Sequence, residues 1–233
     1  MKVSKRLFEL ETESAFSILA KANELSAQGK DIINLGIGQP DFETPKNIQE
    51  AAIKAIKDGK HGYTASNGIL ELREAISNML LTDYNNKISP EEILITPGGK
   101  PVIFFSALMF GGKENEIIYP DPGFPIYRSM IKYSGAKAVP LTLKEEDNFN
   151  INIKKLESLI NEKTSLIIIN NPNNPTGSFM QKKQIDDLVG LLEKYKHVHI
   201  LSDEIYSNIV FDNHKMPSLL EYNNLNDRLI ILN

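Results

Sequence analysis

The sequence predicts an α/β fold with a mostly parallel sheet, and two observations support that prediction. Short apolar runs rich in β-branched residues alternate along the chain with segments of helical periodicity, which is typical of βαβ units. The 233 residues suffice for one large α/β domain, or for one domain with part of another. The chain has no cysteine, which excludes disulfides, thiolate nucleophiles and cysteine-ligated metal sites.

Taken in order, the helical patterns come first and cover residues 14–28, 46–57 and 70–81. Strand and helix patterns then alternate to the last residue. The strand patterns are EILIT, EIIYP, KAVPL, SLIIIN, HVHILSD and RLIILN. The helical patterns between them cover residues 100–110, 122–133, 153–160 and 181–195. No low-complexity segment, repeat or linker divides the chain.

The net charge and the hydropathy of the sequence bear on its partners and its localisation. The net charge of −4 gives no reason to expect a nucleic acid or an anionic membrane. No apolar stretch of a signal peptide follows the basic residues of the first segment. The longest apolar run, VIFFSALMF, is too short to span a bilayer. The sequence therefore predicts a cytoplasmic protein.

The strand ends are where an open α/β sheet binds ligands. Gly98 and Gly99 stand between the strand pattern EILIT and a helix start, where backbone N–H groups and the helix dipole attract phosphate. A plain tight turn is the alternative interpretation. Phe124 and Tyr127 follow EIIYP, and an aromatic ring such as that of Phe124 can stack on a flat ligand or simply pack in the core.

Polar side chains follow the next two strands. Asn174 lies between Asn173 and Pro175, so its backbone is extended and its amide is available, although a surface turn would place it similarly. Asp203 ends an apolar strand, where a buried carboxylate needs a cation or several donors; a helix N-cap is the alternative. Tyr206 follows three residues later. A phosphate site, a planar stacking residue, an amide, a buried acid and a phenol at one sheet edge together predict pyridoxal 5'-phosphate.

Six segments carry a resemblance that covers nearly the whole chain: INLGIGQPDFETP, HGYTASNGILELREAI, ITPGGKPVIF, YPDPGFPIY, NNPNNPTG and SDEIY. The chain resembles the class I/II aminotransferases, the aspartate aminotransferase-like group of fold-type I pyridoxal-phosphate enzymes. The resemblance implies a three-layer sandwich, with residues 46–233 as an incomplete cofactor-binding large domain. It also implies that residues 1–45 form an N-terminal arm and part of the small domain. The implied activity is transfer of an amino group between an L-amino acid and a 2-oxo acid.

The resemblance implies a role for each matching residue. Asp203 pairs with the ring nitrogen of the cofactor, and Asn174 and Tyr206 contact its phenolic oxygen, so that Asp203 and Tyr206 are the catalytic candidates. Phe124 stacks on the ring. The remaining implied contacts are backbone N–H groups of Gly99 and Lys100 with the phosphate, Tyr63 with the phosphate of a neighbouring subunit in a homodimer, and Gly38 and Asn174 with the substrate.

No residue of this sequence matches the Schiff-base lysine that the resemblance implies after the strand RLIILN. We therefore expect the sequence to be the N-terminal part of a longer enzyme, inactive alone, which continues with Ser-x-x-Lys soon after Asn233. Other fold-type I enzymes, such as a carbon–sulfur lyase or a cyclopropane-forming synthase, remain alternatives. So do an aminotransferase-like sensor domain of a transcription regulator and a non-catalytic relative. A metal hydrolase would rest on His197 and His199, expected on one strand face without an evident third ligand.

Overall fold

The computed structural model describes residues 3–10 and 14–233, which divide into two compact units. One unit contains the described residues before residue 11 together with Leu70–Asn233. The other contains the described residues up to Ile69, with helices α1 (Ser14–Ala27) and α2 (Lys46–Lys57). Both helices agree with the sequence patterns. The division into domains between residues 45 and 46 stays a prediction.

The larger unit contains the sheet and the remaining helices. Its helices are α3 (Leu70–Tyr84), α4 (Lys100–Phe110), α5 (Ile126–Ser134), α6 (Ile153–Leu159) and α7 (Lys182–Leu192). Its strands are β1 (Glu116–Asp121), β2 (Lys137–Thr142), β3 (Thr164–Asn170), β4 (His199–Asp203) and β5 (Leu229–Leu232). Short 3-10 helices cover Lys5–Glu9, Pro90–Glu92, Glu145–Asp147, Leu219–Glu221 and Asn223–Arg228. No helix in the described ranges is long and apolar enough to cross a bilayer.

The five strands form one parallel sheet in the order β2-β1-β3-β4-β5. The direction in which strands are added reverses between β1 and β3, so ligands are expected beyond the carboxyl ends of these central strands. The two edge strands of the sheet, β2 and β5, differ in composition. Pro140 lies within β2 and has no N–H to offer, whereas β5 contains no proline. The predicted α/β class with a mostly parallel sheet is confirmed.

Helices cover both faces of the sheet because successive strand residues point to opposite sides. On one face, Ile117 and Ile168 pack in a buried cluster with residues of α4 and α5. On the other face, Ile118 and Ile167 pack in a second cluster with residues of α6 and α7. The result is the three-layer arrangement that the sequence resemblance implied.

The predicted strand EILIT is wrong. Glu92 belongs to a 3-10 turn, where its carboxylate accepts from the N–H of Ser89 in a capping box. Residues 93–96 are outside regular structure and pair with no strand among the described residues. Strand propensity cannot replace a pairing partner. Together with β5, this segment lines a groove of about 460 Å³ whose walls include Ile93 and Ile231.

Helix α5 also begins later than its sequence pattern indicated, at Ile126 rather than residue 122. Pro122 and Pro125 both precede it, and proline lacks the N–H that continues a helix. The later start brings Tyr127 into the first turn of α5. This position decides its contact with the end of β4.

Candidate active site

Asp203 is the last residue of β4 and is 4% exposed. The phenol of Tyr127 donates a hydrogen bond to Asp203 Oδ2 at 2.5 Å, and the backbone N–H of Ile205 donates to Oδ1 at 3.3 Å. Burial raises the pKa of the Asp203 carboxyl, and these two donors offset part of that rise. No cation among the described residues contributes to the pKa of Asp203. A cationic atom of a ligand would therefore stabilise this carboxylate.

The segment after β3 lies beside the end of β4. The side-chain amide of Asn170 donates to the Asp203 carbonyl oxygen at 3.2 Å, and its Oδ1 accepts from the Asn174 N–H at 2.8 Å. The Asn174 side chain in turn donates to the Tyr206 phenol at 3.5 Å. Hydrogen bonds thus connect Asn174, which follows β3, with Asp203 and Tyr206 at the end of β4.

A cavity of about 400 Å³ opens next to this network. One wall is formed by residues 172–177 and the other by residues 206–214. Asn174 and Tyr206 line the cavity from opposite walls. Their amide and phenol are therefore within reach of a ligand.

Phe124 and Tyr127 connect the end of β1 to the same place. Their rings meet edge to face with a centroid distance of 5.8 Å. Tyr127 is fully buried, and burial together with the neighbouring Asp203 raises the pKa of its phenol. A proton that is held so firmly makes Tyr127 a hydrogen-bond donor to Asp203, and Phe124 borders this pair.

The N-terminus of α4 approaches the same edge of the sheet. Gly99 is the N-cap of α4, and Gly98 has φ +83°, a conformation that favours glycine. A Cβ on Gly99 would lie 3.1 Å from both Cδ atoms of Leu232. Leu232 is the ladder neighbour of Asp203, so the start of α4 packs against the strand next to the acid. Backbone N–H groups at a helix N-terminus attract anions.

Three of the sequence candidates contribute differently. The side chain of Lys100 lines an apolar surface groove with Phe104 and Met130, so only its backbone belongs to the N-terminus of α4. Gly38 and Tyr63 belong to the smaller unit. A Cβ on Gly38 would meet no atom within 4 Å, and the Tyr63 side chain is fully exposed.

Tyr127 and Asn170 were given no role from the sequence, yet both contact Asp203 directly. For Tyr127 a usable signal exists, because a buried phenol needs an acceptor and Asp203 was expected to be buried. Asn170 ends an apolar strand, as Asp203 does, and the same rule about strand ends would have found it.

The histidine pair offers no metal centre in the described part of the chain, where no group of three or more possible metal ligands exists. The expectation that both histidines share a strand face is wrong, because β4 begins only at His199. His199 stacks on Phe110 at 4.2 Å, and His197 Nε2 lies 3.2 Å from the Asn161 carbonyl oxygen.

We expect Tyr127→Phe to make the free energy of unfolding more dependent on pH. Because the folded pKa of Asp203 is raised, the carboxyl costs stability as pH rises from its unfolded value, about 4, through the folded value. The Tyr127 hydrogen bond reduces that cost. A hydrogen bond to a charged group contributes about 1.5–3 kcal/mol to stability. Urea unfolding at pH 4 and pH 7.5 should show the larger loss at pH 7.5.

Tyr133→Phe is the matched control, since Tyr133 lies on the same helix and is only partly buried. It should change the free energy of unfolding little and equally at both pH values. A Tyr127→Phe effect that is identical at pH 4 and pH 7.5 would show that the hydrogen bond does not act on the charge of Asp203.

Comparison with known proteins identifies the family. The sequence profile of the aminotransferase class I and II family matches residues 30–233. The chain is 37% identical over 232 residues to a probable aspartate/prephenate aminotransferase of Rickettsia felis, which covers 99% of this chain and 57% of that protein. It is 41% identical over 203 residues to a probable aspartate aminotransferase of Methanocaldococcus jannaschii, covering 87% of this chain and 52% of that protein.

Solved structures agree with the sequence comparison. The aspartate aminotransferase from Thermus thermophilus with maleate superimposes with a TM-score of 0.92 at 28% identity. The match covers 99% of this chain and 59% of the Thermus chain. The chain thus spans somewhat more than half the length of the proteins it matches. The resemblance seen in the sequence is confirmed, and the chain belongs to the class I and II aminotransferase family.

Proposed function

We propose that the protein carrying this chain is a pyridoxal-phosphate-dependent aminotransferase that moves an amino group between an L-amino acid and a 2-oxo acid. The observation that carries the proposal is the buried Asp203 carboxyl at the end of β4, held by Tyr127 beside the Asn174–Tyr206 pair. Family membership supports the reaction class. The activity is proposed for the whole protein, because this chain spans 57% of its Rickettsia relative.

The residues of the site fit the cofactor. A protonated pyridine nitrogen would supply the cation that the buried Asp203 carboxylate lacks. Gly99 and Lys100 at the start of α4 would bind the phosphate, and Phe124 would stack on the ring. Asn174 and Tyr206 would contact the phenolic oxygen. When bound, pyridoxal phosphate supplies an electron sink for the carbon that loses its proton.

The contribution of this chain is to hold the reacting groups. Asp203 would keep the proton on the ring nitrogen, and Tyr127 would keep Asp203 ionised by donating to Oδ2. Tyr206 and Asn174, which both line the cavity, would fix the orientation of the ring. We assign the amino donor by analogy. Aspartate is the first substrate to test, because relatives carry it in their names.

A homodimer in the cytoplasm is part of the proposal. Phe105 and Met109, one turn apart on α4, are 56% and 70% exposed and present apolar side chains that a second copy would cover. Tyr63 would reach the phosphate of the partner, in keeping with its complete exposure. Gly38 would lie near the substrate carboxylate, in a position with space beside it.

The test uses the complete protein that contains this chain, purified and supplied with pyridoxal phosphate. It is incubated with ¹⁵N-aspartate and 2-oxoglutarate, and mass spectrometry follows ¹⁵N-glutamate and oxaloacetate. We expect both products in equal amounts. A panel of aromatic and small apolar amino donors should then define the specificity.

Two outcomes would contradict the proposal. Release of a thiol, ammonia and a 2-oxo acid from a sulfur-containing amino acid, without any labelled glutamate from aspartate, would point to a carbon–sulfur lyase on the same fold. If the protein binds the cofactor but transfers no amino group from any donor, it is a non-catalytic relative of the family.

A further inference from the structure

Glu204 is a second buried acid at the end of β4, directly after Asp203. It is 1% exposed, and burial raises the pKa of its carboxyl. Three donors surround it: Ser202 Oγ at 2.9 Å and the Leu219 N–H at 3.1 Å on Oε1, and Ser218 Oγ at 2.6 Å on Oε2. Asp203 contacts α5 on one face of the sheet, whereas Leu219 belongs to the cluster on the other face. Asp203 and Glu204 therefore contact elements on opposite faces of the sheet.

The donors of Glu204 come from both ends of one loop. Residues 205–217 leave β4 and return at Ser218, which caps the 3-10 helix Leu219–Glu221. Several hydrogen bonds of the loop are local, such as Ile209 N–H to the Tyr206 carbonyl oxygen. Its attachments to other segments include a ring contact between Phe179 and His214, a 3.3 Å hydrogen bond from Asn233 to Ser207 and the Asn174–Tyr206 hydrogen bond. The Met216 side chain near its end is buried. The Glu204 carboxylate joins the start of the loop to its end.

This loop forms one wall of the cavity described above. Tyr206 is its second residue, and Ile209, Phe211 and His214 line the cavity farther along. The 3.5 Å approach of the Asn174 amide to the Tyr206 phenol therefore depends on where the loop is held. Glu204 is positioned to hold it.

We propose that Glu204 is a positioning residue that closes the 205–217 loop through Ser218 and Leu219 and thereby places the Tyr206 phenol opposite Asn174. Its action on a bound cofactor rests on the proposed function. Its action on the loop does not. Glu204 touches neither Asp203 through its side chain nor the cavity.

The first experiment measures amide hydrogen exchange of the full protein without ligand. Glu204→Ala should accelerate exchange in residues 205–217 by about tenfold or more, because local opening of the loop becomes easier. Helices α5 and α7 should exchange as in the wild type. Glu204→Gln should restore the protection, since its amide can still accept from Leu219 and donate to Ser218 Oγ.

Two matched variants complete this experiment. Glu221→Gln, at an exposed acid in the same returning segment, keeps an oxygen that can accept from the Ser218 N–H and should leave the exchange of residues 205–217 unchanged. Ser218→Ala should accelerate the exchange of residues 205–217 less than Glu204→Ala does. It replaces Glu204→Ala as the test variant if Glu204→Ala does not fold. Uniform acceleration over the whole chain, or unchanged exchange of the loop, would overturn the proposal.

The second experiment asks whether Glu204 acts through Tyr206. Pyridoxal phosphate affinity is measured for the wild type, Glu204→Ala, Tyr206→Phe and the double variant. We expect Glu204→Ala alone to weaken pyridoxal phosphate binding. In the Tyr206→Phe background, Glu204→Ala should cause no further loss of affinity. Additive losses would show a general structural role instead. A wild type that binds no pyridoxal phosphate would refute the proposed function, while the exchange experiment would still decide the role of Glu204.

Discussion

Asp203→Asn in the complete protein is expected to lower the rate of amino transfer by about two orders of magnitude. A hydrogen bond to a charged group contributes about 1.5–3 kcal/mol, and each 1.36 kcal/mol is a factor of about ten in rate. Asparagine keeps the size of the side chain and can still accept from the Tyr127 phenol. What it removes is the negative charge. Steady-state kinetics with aspartate and 2-oxoglutarate measure the loss.

The stability of Asp203→Asn should change in the opposite sense. Burial raises the folded pKa of Asp203, so the wild type loses stability as pH rises from about 4 through that folded value. The asparagine side chain does not ionise, so the variant has no such loss of stability. At pH 7 the variant should therefore be at least as stable as the wild type, with the difference shrinking toward pH 4.

Asp187→Asn is the control for this pair of measurements. Asp187 is an exposed acid on α7, far in sequence from the strand ends. Its replacement should leave both the rate and the stability nearly unchanged. Near-wild-type amino transfer by Asp203→Asn would remove Asp203 from the proposed role.

Ile167→Ala is expected to produce the largest loss of stability, about 2–5 kcal/mol. Ile167 lies on the central strand β3, fully buried, with Ile118 and Ile200 as its neighbours on the adjacent strands. Alanine would leave a cavity against α7 that rigid strands on both sides cannot close. Urea unfolding followed by circular dichroism measures the change.

The matched control is Ile56→Ala on α2, where the isoleucine is 72% exposed and alanine suits a helix. Its effect should stay within about 0.5 kcal/mol. Equal losses for the two variants would mean that burial in β3 does not determine the cost.

The strands that form the sheet were predictable because each is a short apolar run that includes β-branched residues. The failure at EILIT shows the limit of that rule. Ile93 and Ile95 have the composition of a strand, but pairing is a property of the partner as well as of the segment. A capping box at Ser89 then decides the local geometry instead.

The candidate site was predictable only where a residue stands at a strand end. Asp203, the last residue of β4, met that condition, and Asn174 follows the end of β3 by four residues. Tyr127 acquires its contact from the later start of α5, which depends on how two prolines turn the chain. Glu204 receives donors from residues 218 and 219, and a loop of that length hides the relation from any local pattern.

Arg228 illustrates the same limit outside the site. From the sequence it was only the polar first residue of an apolar strand. In the structure its guanidinium donates to the carbonyl oxygens of Leu192, Tyr195 and Val198, where α7 ends. Tyr195 and Val198 follow the end of α7, and backbone N–H groups already donate to the carbonyl oxygens of Leu192 and Tyr195, so the arginine adds donors at the C-terminus of this helix. Such contacts depend on the tertiary fold.

The unequal edges of the sheet set a limit on how this 233-residue chain can associate. Pro140 and the exposed Lys137 obstruct the β2 edge, because a strand that docks there meets a missing donor and a charge. The β5 edge carries neither obstacle and opens onto an apolar groove. Of these two edges, β5 is therefore the one whose backbone groups can pair with a further strand.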